Sequence, residues 1–325
     1  MKTLLEIPEC YKDPAYRDSR LLAAGVTSYV QETREGVLDD MQDALASYRS
    51  EASREVLPRI AHDSALEGVS EEDLYFLSYI YNEYAELAVV SEYAYRDAEI
   101  LLPEGWIDMG DADAEIASLI SKYAQEGLLS IGLKCSLLSK DDRHVLAFAG
   151  TDVPADWKDF NQVLNFLKDA YENVTGAFRD DAFQVNVASS LVEELIATGK
   201  VSLDRLEFTG HSLGGRLACE MAVRYARPAV VFNAAGVAPG LYGQYETMRA
   251  AAADDWKGYI VDITSANDLL TRLQRFATGL AEGRDYRSIG VHLPLSESMT
   301  GHSIAPLSAC LYARAEACRK ELKSR

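Results

Sequence analysis

The apolar residues of this chain recur with two different periods, and the change between them separates predicted strands from predicted helices. Short runs rich in β-branched and aromatic residues indicate strands, whereas apolar residues three or four positions apart indicate helices. From residue 128 onward the two kinds of segment alternate. Strands are predicted at 128–138, 143–149, 206–209, 229–233, 258–264 and 286–292.

Helices are predicted before, between and after these strands. The longest begins after Ser70, because Ser70 and Asp73 form a capping box, and it continues to about Tyr95. Its many tyrosines indicate a half-buried helix whose rings pack and whose hydroxyls stay hydrated. Further helices are predicted at 112–125, 156–171, 181–197, 212–225, 242–254 and 302–320.

The alternation predicts an α/β domain over residues 71–325, with a mostly parallel sheet covered by helices on both faces. Residues 1–70 carry no catalytic motif, but apolar residues at helical spacing from Val37 to Tyr48 predict an amphipathic helix. We therefore expect an N-terminal helical extension that packs on the main domain. A segment that binds a protein partner or gates the substrate is the alternative, and the sequence does not identify that partner.

The charge of the chain narrows the classes of partner. Its net charge is −19, from 32 basic and 51 acidic residues, which argues against nucleic acid and against electrostatic docking on anionic membranes. Apolar, transient contact with a membrane surface stays open. No apolar run reaches the ~18–20 residues of a transmembrane helix. Glu6 interrupts the apolar start where a secretory signal needs continuity, so we expect a cytoplasmic protein, with non-classical export as the alternative.

The five cysteines indicate neither a disulfide framework nor a metal site. They are odd in number and scattered, and none has the spacing of metal ligands. We expect reduced, mostly buried thiols. The sequence suggests no metal and no organic cofactor.

The strongest chemical signal is a Gly-x-Ser-x-Gly motif centred on Ser212, which follows a predicted strand directly and opens a predicted helix. This context is that of a nucleophile elbow, in which a strained turn exposes the serine hydroxyl. Gly210 and Gly214 lack a Cβ and so allow neighbouring backbone to pass close by. The N–H of Leu213, at the positive end of the helix, would bind a developing oxyanion.

A serine nucleophile needs an imidazole base, and in α/β-hydrolases the histidine follows the serine in the chain. Two of the five histidines precede Ser212, and His211 lies inside the elbow with its ring expected to point away from the serine. Only His292 and His302 remain. His302 is the favoured base because it lies in a loop after the last predicted strand, whereas His292 lies within that strand.

The acid that orients the base should come just after a strand that follows the elbow. Asp268 meets this condition, while Asp262 lies in mid-strand and Asp285 is a third candidate. Asn267-Asp268 is also typical of a helix N-cap. A second oxyanion donor should come from an earlier strand end, and the Thr151 N–H after Gly150 fits, although a simple turn would look the same.

These motifs resemble the class 3 lipase family of α/β-hydrolases in their order and approximate spacing, with Ala149 standing where the family usually has arginine. The resemblance covers roughly residues 76 to 310 and implies ester hydrolysis by Ser212, Asp268 and His302. In that family a lid occupies the place of the predicted helix from Trp157, which would otherwise be an ordinary sheet-covering helix. The matching segments are Phe148-Ala149-Gly150-Thr151, Asp156-Trp157, residues 209–215, residues 235–239, Asn267-Asp268 and Gly301-His302.

The sequence therefore predicts a serine hydrolase of carboxylic esters, with lipid or other ester substrates and an acyl-enzyme on Ser212. Lipase or phospholipase activity is the first interpretation. Thioester cleavage or acyl transfer would use the same triad. A non-catalytic module that works through the N-terminal extension, and an effector lipase exported without a signal peptide, are the remaining alternatives.

Overall fold

The structure is a computed structural model that describes residues 66, 69–96, 100–125, 133–150, 181–237, 239–252, 258–268, 289–300 and 302–325. Statements about the fold and the site refer to these residues. Several predictions lie outside them: the helices within 1–65 and from residue 156, the oxyanion donor Thr151, and the candidate acid Asp285.

The described strands form one seven-stranded sheet in which the strands lie in their order along the chain. The second strand is antiparallel to both the first and the third, and the third to seventh strands are parallel. This mostly parallel sheet confirms the predicted α/β class. The strands are β1 (Ile107–Asp108), β2 (Cys135–Lys140), β3 (Arg143–Phe148), β4 (Leu206–His211), β5 (Ala229–Phe232), β6 (Ile260–Asn267) and β7 (Val291–Thr300).

Helices cover both faces of this sheet, as the sequence predicts. On one face, buried residues of α1 and α7 pack with side chains such as Val230 and Phe232. Their strand neighbours Ala229 and Val231 point to the other face, where they pack with α3, α4 and α5. The helices are α1 (Glu71–Tyr93), α2 (Met109–Ala112), α3 (Ala114–Gln125), α4 (Asp181–Ala197), α5 (Leu213–Tyr225), α6 (Pro239–Ala252) and α7 (Ala305–Ser324).

Several strand boundaries differ from prediction, among them the ends of β2 and β7. β2 was predicted to end at 138 but continues to Lys140, which pairs with Arg143, so a two-residue hairpin with Asp141 at φ 52° joins β2 to β3. Positive φ is the conformation that tight hairpins require, and aspartate tolerates it. β7 was predicted to end at His292 but continues to Thr300. It is an edge strand, where Pro294 needs no ladder partner for its missing N–H.

The last helix begins at Ala305 and not at His302 as predicted. His302 consequently lies in the loop between β7 and α7. None of the helices in the described ranges is long and apolar enough to cross a lipid bilayer. Four cysteines in those ranges are free thiols, as expected, and three of them are buried.

The sheet topology decides where functional side chains meet. The parallel strands β3, β4, β6 and β7 all end at the same edge of the sheet. Open α/β sheets bind ligands outside the carboxyl ends of their strands. That edge carries Gly150, Ser212, Asp268 and His302, which are separated by up to 152 positions in the sequence.

Candidate active site

Ser212 joins β4 to α5 in a strained backbone conformation. Its φ is 58° and its ψ is −128°, outside the regions that residues with a Cβ normally adopt. Two backbone hydrogen bonds hold this turn. The Ser212 N–H donates to the carbonyl of Phe232 at the end of β5 at 3.1 Å, and the N–H of Ala235, three residues beyond that strand, donates to the Ser212 carbonyl at 3.0 Å. Strain of this kind persists only where surrounding structure imposes it, and it concentrates at functional sites.

The elbow packs directly on neighbouring backbone. A Cβ on Gly214 would lie 2.1 Å from the Phe148 carbonyl oxygen at the end of β3. A Cβ on Gly210 would lie 2.4 Å from the Gly214 carbonyl group. Because no side chain fits at either position, the two glycines allow the serine turn, the helix start and β3 to approach as closely as they do.

Leu213 is the first residue of α5. The first backbone N–H groups of a helix have no acceptor within the helix, and the helix dipole makes this end positive. The Leu213 N–H is therefore placed at the carboxyl edge of the sheet, next to Ser212. Thr151, the other predicted donor, lies outside the described residues.

Gly150, the residue before Thr151, is in contact with the elbow. A Cβ at Gly150 would lie 3.0 Å from the Ser212 Cβ, 2.9 Å from the His211 carbonyl oxygen and 2.7 Å from the Tyr95 hydroxyl. The chain that leads to Thr151 thus passes beside Ser212 with no room for a side chain.

Asp268 and His302 form a buried pair. The His302 Nδ1 lies 2.7 Å from the Asp268 Oδ1, and the two residues are 2% and 1% exposed. An ionised carboxylate only accepts hydrogen bonds, so the Nδ1 donates and a neutral imidazole keeps its lone pair on Nε2. This is the tautomer that a general base needs. Asp268 comes one residue after β6, and its N–H donates to the Ser265 carbonyl at 3.0 Å.

His302 also contacts the elbow through its main chain. The His302 carbonyl oxygen lies 2.6 Å from the Nε2 of His211, the residue before Ser212, and the centres of the two imidazole rings are 4.6 Å apart. The structure therefore brings Asp268, His302 and the serine turn together in one place.

Both ring nitrogens of His211 have partners. Besides the His302 carbonyl, the ring contacts the Tyr95 hydroxyl, which lies 2.9 Å from Nδ1. Burial, reinforced by the nearby His302 ring, lowers the pKa of His211 to about 3. His211 is thus neutral near pH 7, and its two hydrogen bonds leave no nitrogen to act as a base towards Ser212.

The rival pair, His292 and Asp262, lies within the sheet. These residues are directly opposite each other on β7 and β6, with 3.6 Å between the Nδ1 and the Oδ2. The His292 Nε2 lies 3.2 Å from the Thr264 hydroxyl. Their position inside the strands matches the interpretation of His292 as a sheet residue and of Asp262 as a buried carboxylate beside a base.

Sequence reasoning missed the contact between Tyr95 and His211. Tyr95 was placed in a helix with a hydrated hydroxyl, but it follows the end of α1 and bonds to a ring 116 positions further along the chain. No local pattern marks such a contact. Within the described ranges, no cluster of three or more histidine, cysteine, aspartate or glutamate side chains has the arrangement of a metal site.

Comparison with known proteins places the chain in a family. A family model described as the Tle-like phospholipase domain matches residues 86–317. The chain belongs to this phospholipase family. The residues matched to the Tle-like phospholipase domain include Tyr95, His211, Ser212, Asp268 and His302.

Individual relatives share shorter regions with this chain. An extracellular phospholipase A1 of Serratia liquefaciens is 35% identical over 144 residues, which are 44% of this chain and 40% of that protein. The chain therefore aligns with less than half of that relative's length. A puromycin-hydrolysing peptidase of Mycobacterium tuberculosis shares 16% identity over 42% of this chain and 24% of its own, with a TM-score of 0.26, an overlap too slight to inform fold or function.

Proposed function

We propose that this protein hydrolyses acyl esters of phospholipids through an acyl-enzyme on Ser212. The observation that carries the proposal is the buried pair of Asp268 and His302. The backbone carbonyl of His302 is hydrogen-bonded to the ring of His211, the residue before the strained serine. The family supports the choice of phospholipids, and the name of the Serratia relative adds weight to it.

In the proposed reaction the His302 Nε2 removes the proton of the Ser212 hydroxyl as its oxygen attacks the ester carbonyl. The N–H groups of Leu213 and Thr151 bind the resulting oxyanion. When the tetrahedral intermediate collapses, the imidazolium gives its proton to the leaving lysophospholipid oxygen. Water, deprotonated by the same imidazole, then releases the fatty acid and restores the serine.

Asp268 stabilises the imidazolium that forms in each half of this reaction and fixes the tautomer of the base. Its burial strengthens the effect, because a charge that is shielded from water interacts more strongly with its partner. The class 3 lipase resemblance leads to the same roles for these residues and remains part of the proposal.

The test is release of fatty acid from vesicles of phosphatidylethanolamine and phosphatidylglycerol. Ser212→Ala should lower the rate roughly a thousandfold or more. Ser136→Ala, which alters another buried serine of the same sheet, is the matched control and should keep full activity. A fluorophosphonate probe should label the native protein and not Ser212→Ala.

Turnover that persists in Ser212→Ala would refute the acyl-enzyme, and a protein that neither turns over nor takes up the probe would be a non-catalytic module. Lipids with a different acyl chain at each glycerol position show which ester is cut. Activity on acyl thioesters alone, or transfer of the acyl group to an added alcohol alone, would replace phospholipid hydrolysis with one of the alternative reactions of the same triad.

A further inference from the structure

We infer that His211 and Tyr95 are positioning residues. They hold the His302 base at the right distance from Ser212 through a hydrogen bond to the backbone carbonyl of His302. The inference rests on the proposed function, since it concerns the base of that reaction. Two consecutive hydrogen bonds support it, one between Tyr95 and His211 and one between His211 and His302.

The direction of both bonds follows from chemistry. A backbone carbonyl only accepts, so the His211 Nε2 carries the ring proton and donates to His302. In a neutral ring the Nδ1 is then an acceptor, so the Tyr95 hydroxyl donates to it. The carbonyl thus selects the tautomer of His211, and the Tyr95 hydroxyl stabilises that tautomer by donating to the ring nitrogen that has no proton.

His302 needs such an anchor because of its place in the fold. It lies between the end of β7 and the start of α7, so neither a strand ladder nor a helix fixes its main chain. The Asp268 carboxylate fixes one nitrogen of its ring. The bond from His211 fixes its carbonyl, so two points on the residue are held.

The second point matters because His211 and Ser212 are consecutive residues. The elbow that contains them is rigid, since β5 bonds to it and backbone surrounds it. A bond from His211 to His302 therefore sets the position of the base relative to the nucleophile itself, which the Asp268 contact alone does not do. Small displacements of a base from its hydroxyl partner cost rate.

Two variants of His211 separate positioning from packing. His211→Met fills a similar volume but has no donor, and should lower kcat roughly tenfold with KM nearly unchanged on p-nitrophenyl butyrate. His211→Gln places an amide N–H near the former Nε2 and should recover part of that loss. Tyr95→Phe should lower kcat roughly threefold, and Tyr75→Phe, at the other end of α1, serves as the matched control.

A second readout does not depend on turnover. The proton between His302 and Asp268 should give a downfield NMR resonance that is absent in Asp268→Asn. It should shift or broaden in His211→Met and return towards its native position in His211→Gln. If the resonance changes in this way across the variants but the native protein shows no turnover, the proposed function fails while the positioning contact stands.

The inference itself is overturned by either of two results. One is a native kcat and a native resonance in His211→Met. The other is an equal loss of kcat in His211→Met and His211→Gln, because a role in packing alone predicts no rescue by the amide donor.

Discussion

The backbone at Ser212 combines a function with a cost in stability. With φ at 58° and ψ at −128°, Ser212 has a backbone conformation that glycine adopts freely and residues with a Cβ avoid. Residues held in such regions cost of order 1–3 kcal/mol each. Close packing at the neighbouring glycines and the hydrogen bonds to Phe232 and Ala235 keep the turn in place.

This strain predicts different stabilities for two inactive variants. Ser212→Ala keeps the Cβ and should keep the strain, whereas Ser212→Gly should relieve it. After the entropy cost of glycine, we expect Ser212→Gly to be more stable by about 1 kcal/mol. Urea unfolding of both variants measures the difference, and an alanine variant as stable as the glycine variant would contradict the strain.

His211 should make stability depend on pH. The pKa of His211 is 6.5 in the unfolded chain and about 3 in the folded protein. Between these pH values the unfolded chain therefore binds a proton at His211 and the folded protein does not. Stability therefore rises with pH in this window and is lost on acidification, with no contribution above it.

The corresponding variant is His211→Gln, which removes the titrating group. From pH 7 to pH 5 the native protein should lose about 2 kcal/mol more of its free energy of unfolding than the variant does. Urea denaturation at both pH values tests this, since the carboxylates titrate alike in the two proteins. Equal losses would mean that the ring is protonated in the folded state.

At the residue scale, the sequence predicted those site residues that a local motif or the order of residues along the chain identifies. The elbow was found because strand, motif and helix adjoin. Asp268 and His302 were chosen by chain order and by their position after strands, and the structure places them in contact. The bond between Tyr95 and His211 could not be found, because it depends on how α1 docks on the sheet.

At the scale of elements, α5 lies on β3 through glycine contacts. A methyl group at Gly214 would lie 2.1 Å from the Phe148 carbonyl oxygen, and backbone cannot rotate away as a side chain does. Gly214→Ala should therefore push α5 from the sheet and cost about 1–3 kcal/mol. It should also lower hydrolysis, because the elbow moves with the helix.

Gly243→Ala is the matched control for this change. Nothing lies within 4 Å of a Cβ at that position in α6, and alanine favours helix over glycine by up to about 1 kcal/mol. The control should be at least as stable as the native protein. A Gly214→Ala variant with the same urea midpoint as the control would show that β3 and α5 are not in close contact.

Element boundaries were less predictable than element types. The helix predicted at 181–197 has the same ends in the structure. The strand predicted to end at His292 continues through Pro294 to Thr300, and only the order of the described strands shows that β7 lies at an edge, where proline is tolerated. Such facts belong to the assembled sheet and not to any one segment.

At the scale of the whole molecule, a cluster of charges fastens α1 to the sheet. The Arg143 guanidinium of β3 bonds to Glu83 of α1, lies 3.6 Å from Glu207 of β4, and sits over the Trp106 ring at 5.1 Å. Burial alone would lower the pKa of Arg143, but the two carboxylates outweigh it and raise that pKa. The cation therefore stays charged at any pH at which the protein folds.

Removal of this cation should weaken the fold without disabling the site. Arg143→Met leaves the buried Glu83 carboxylate facing Glu207 and should lower the free energy of unfolding by about 3 kcal/mol. The double variant with Glu83→Gln should recover part of that loss, because the two side chains interact directly. Urea unfolding of the single and double variants gives the coupling energy.

The catalytic consequence should be small, because the end of α1 near the site has an attachment of its own. The Ser91 hydroxyl lies 2.7 Å from the Thr209 hydroxyl of β4, one turn of helix before Tyr95, and both hydroxyls are buried. Tyr95 should therefore keep its contact with His211 in Arg143→Met. We expect the kcat of the folded variant to change less than about twofold. A larger fall in kcat would mean that Arg143, and not the Ser91 contact, sets the position of Tyr95.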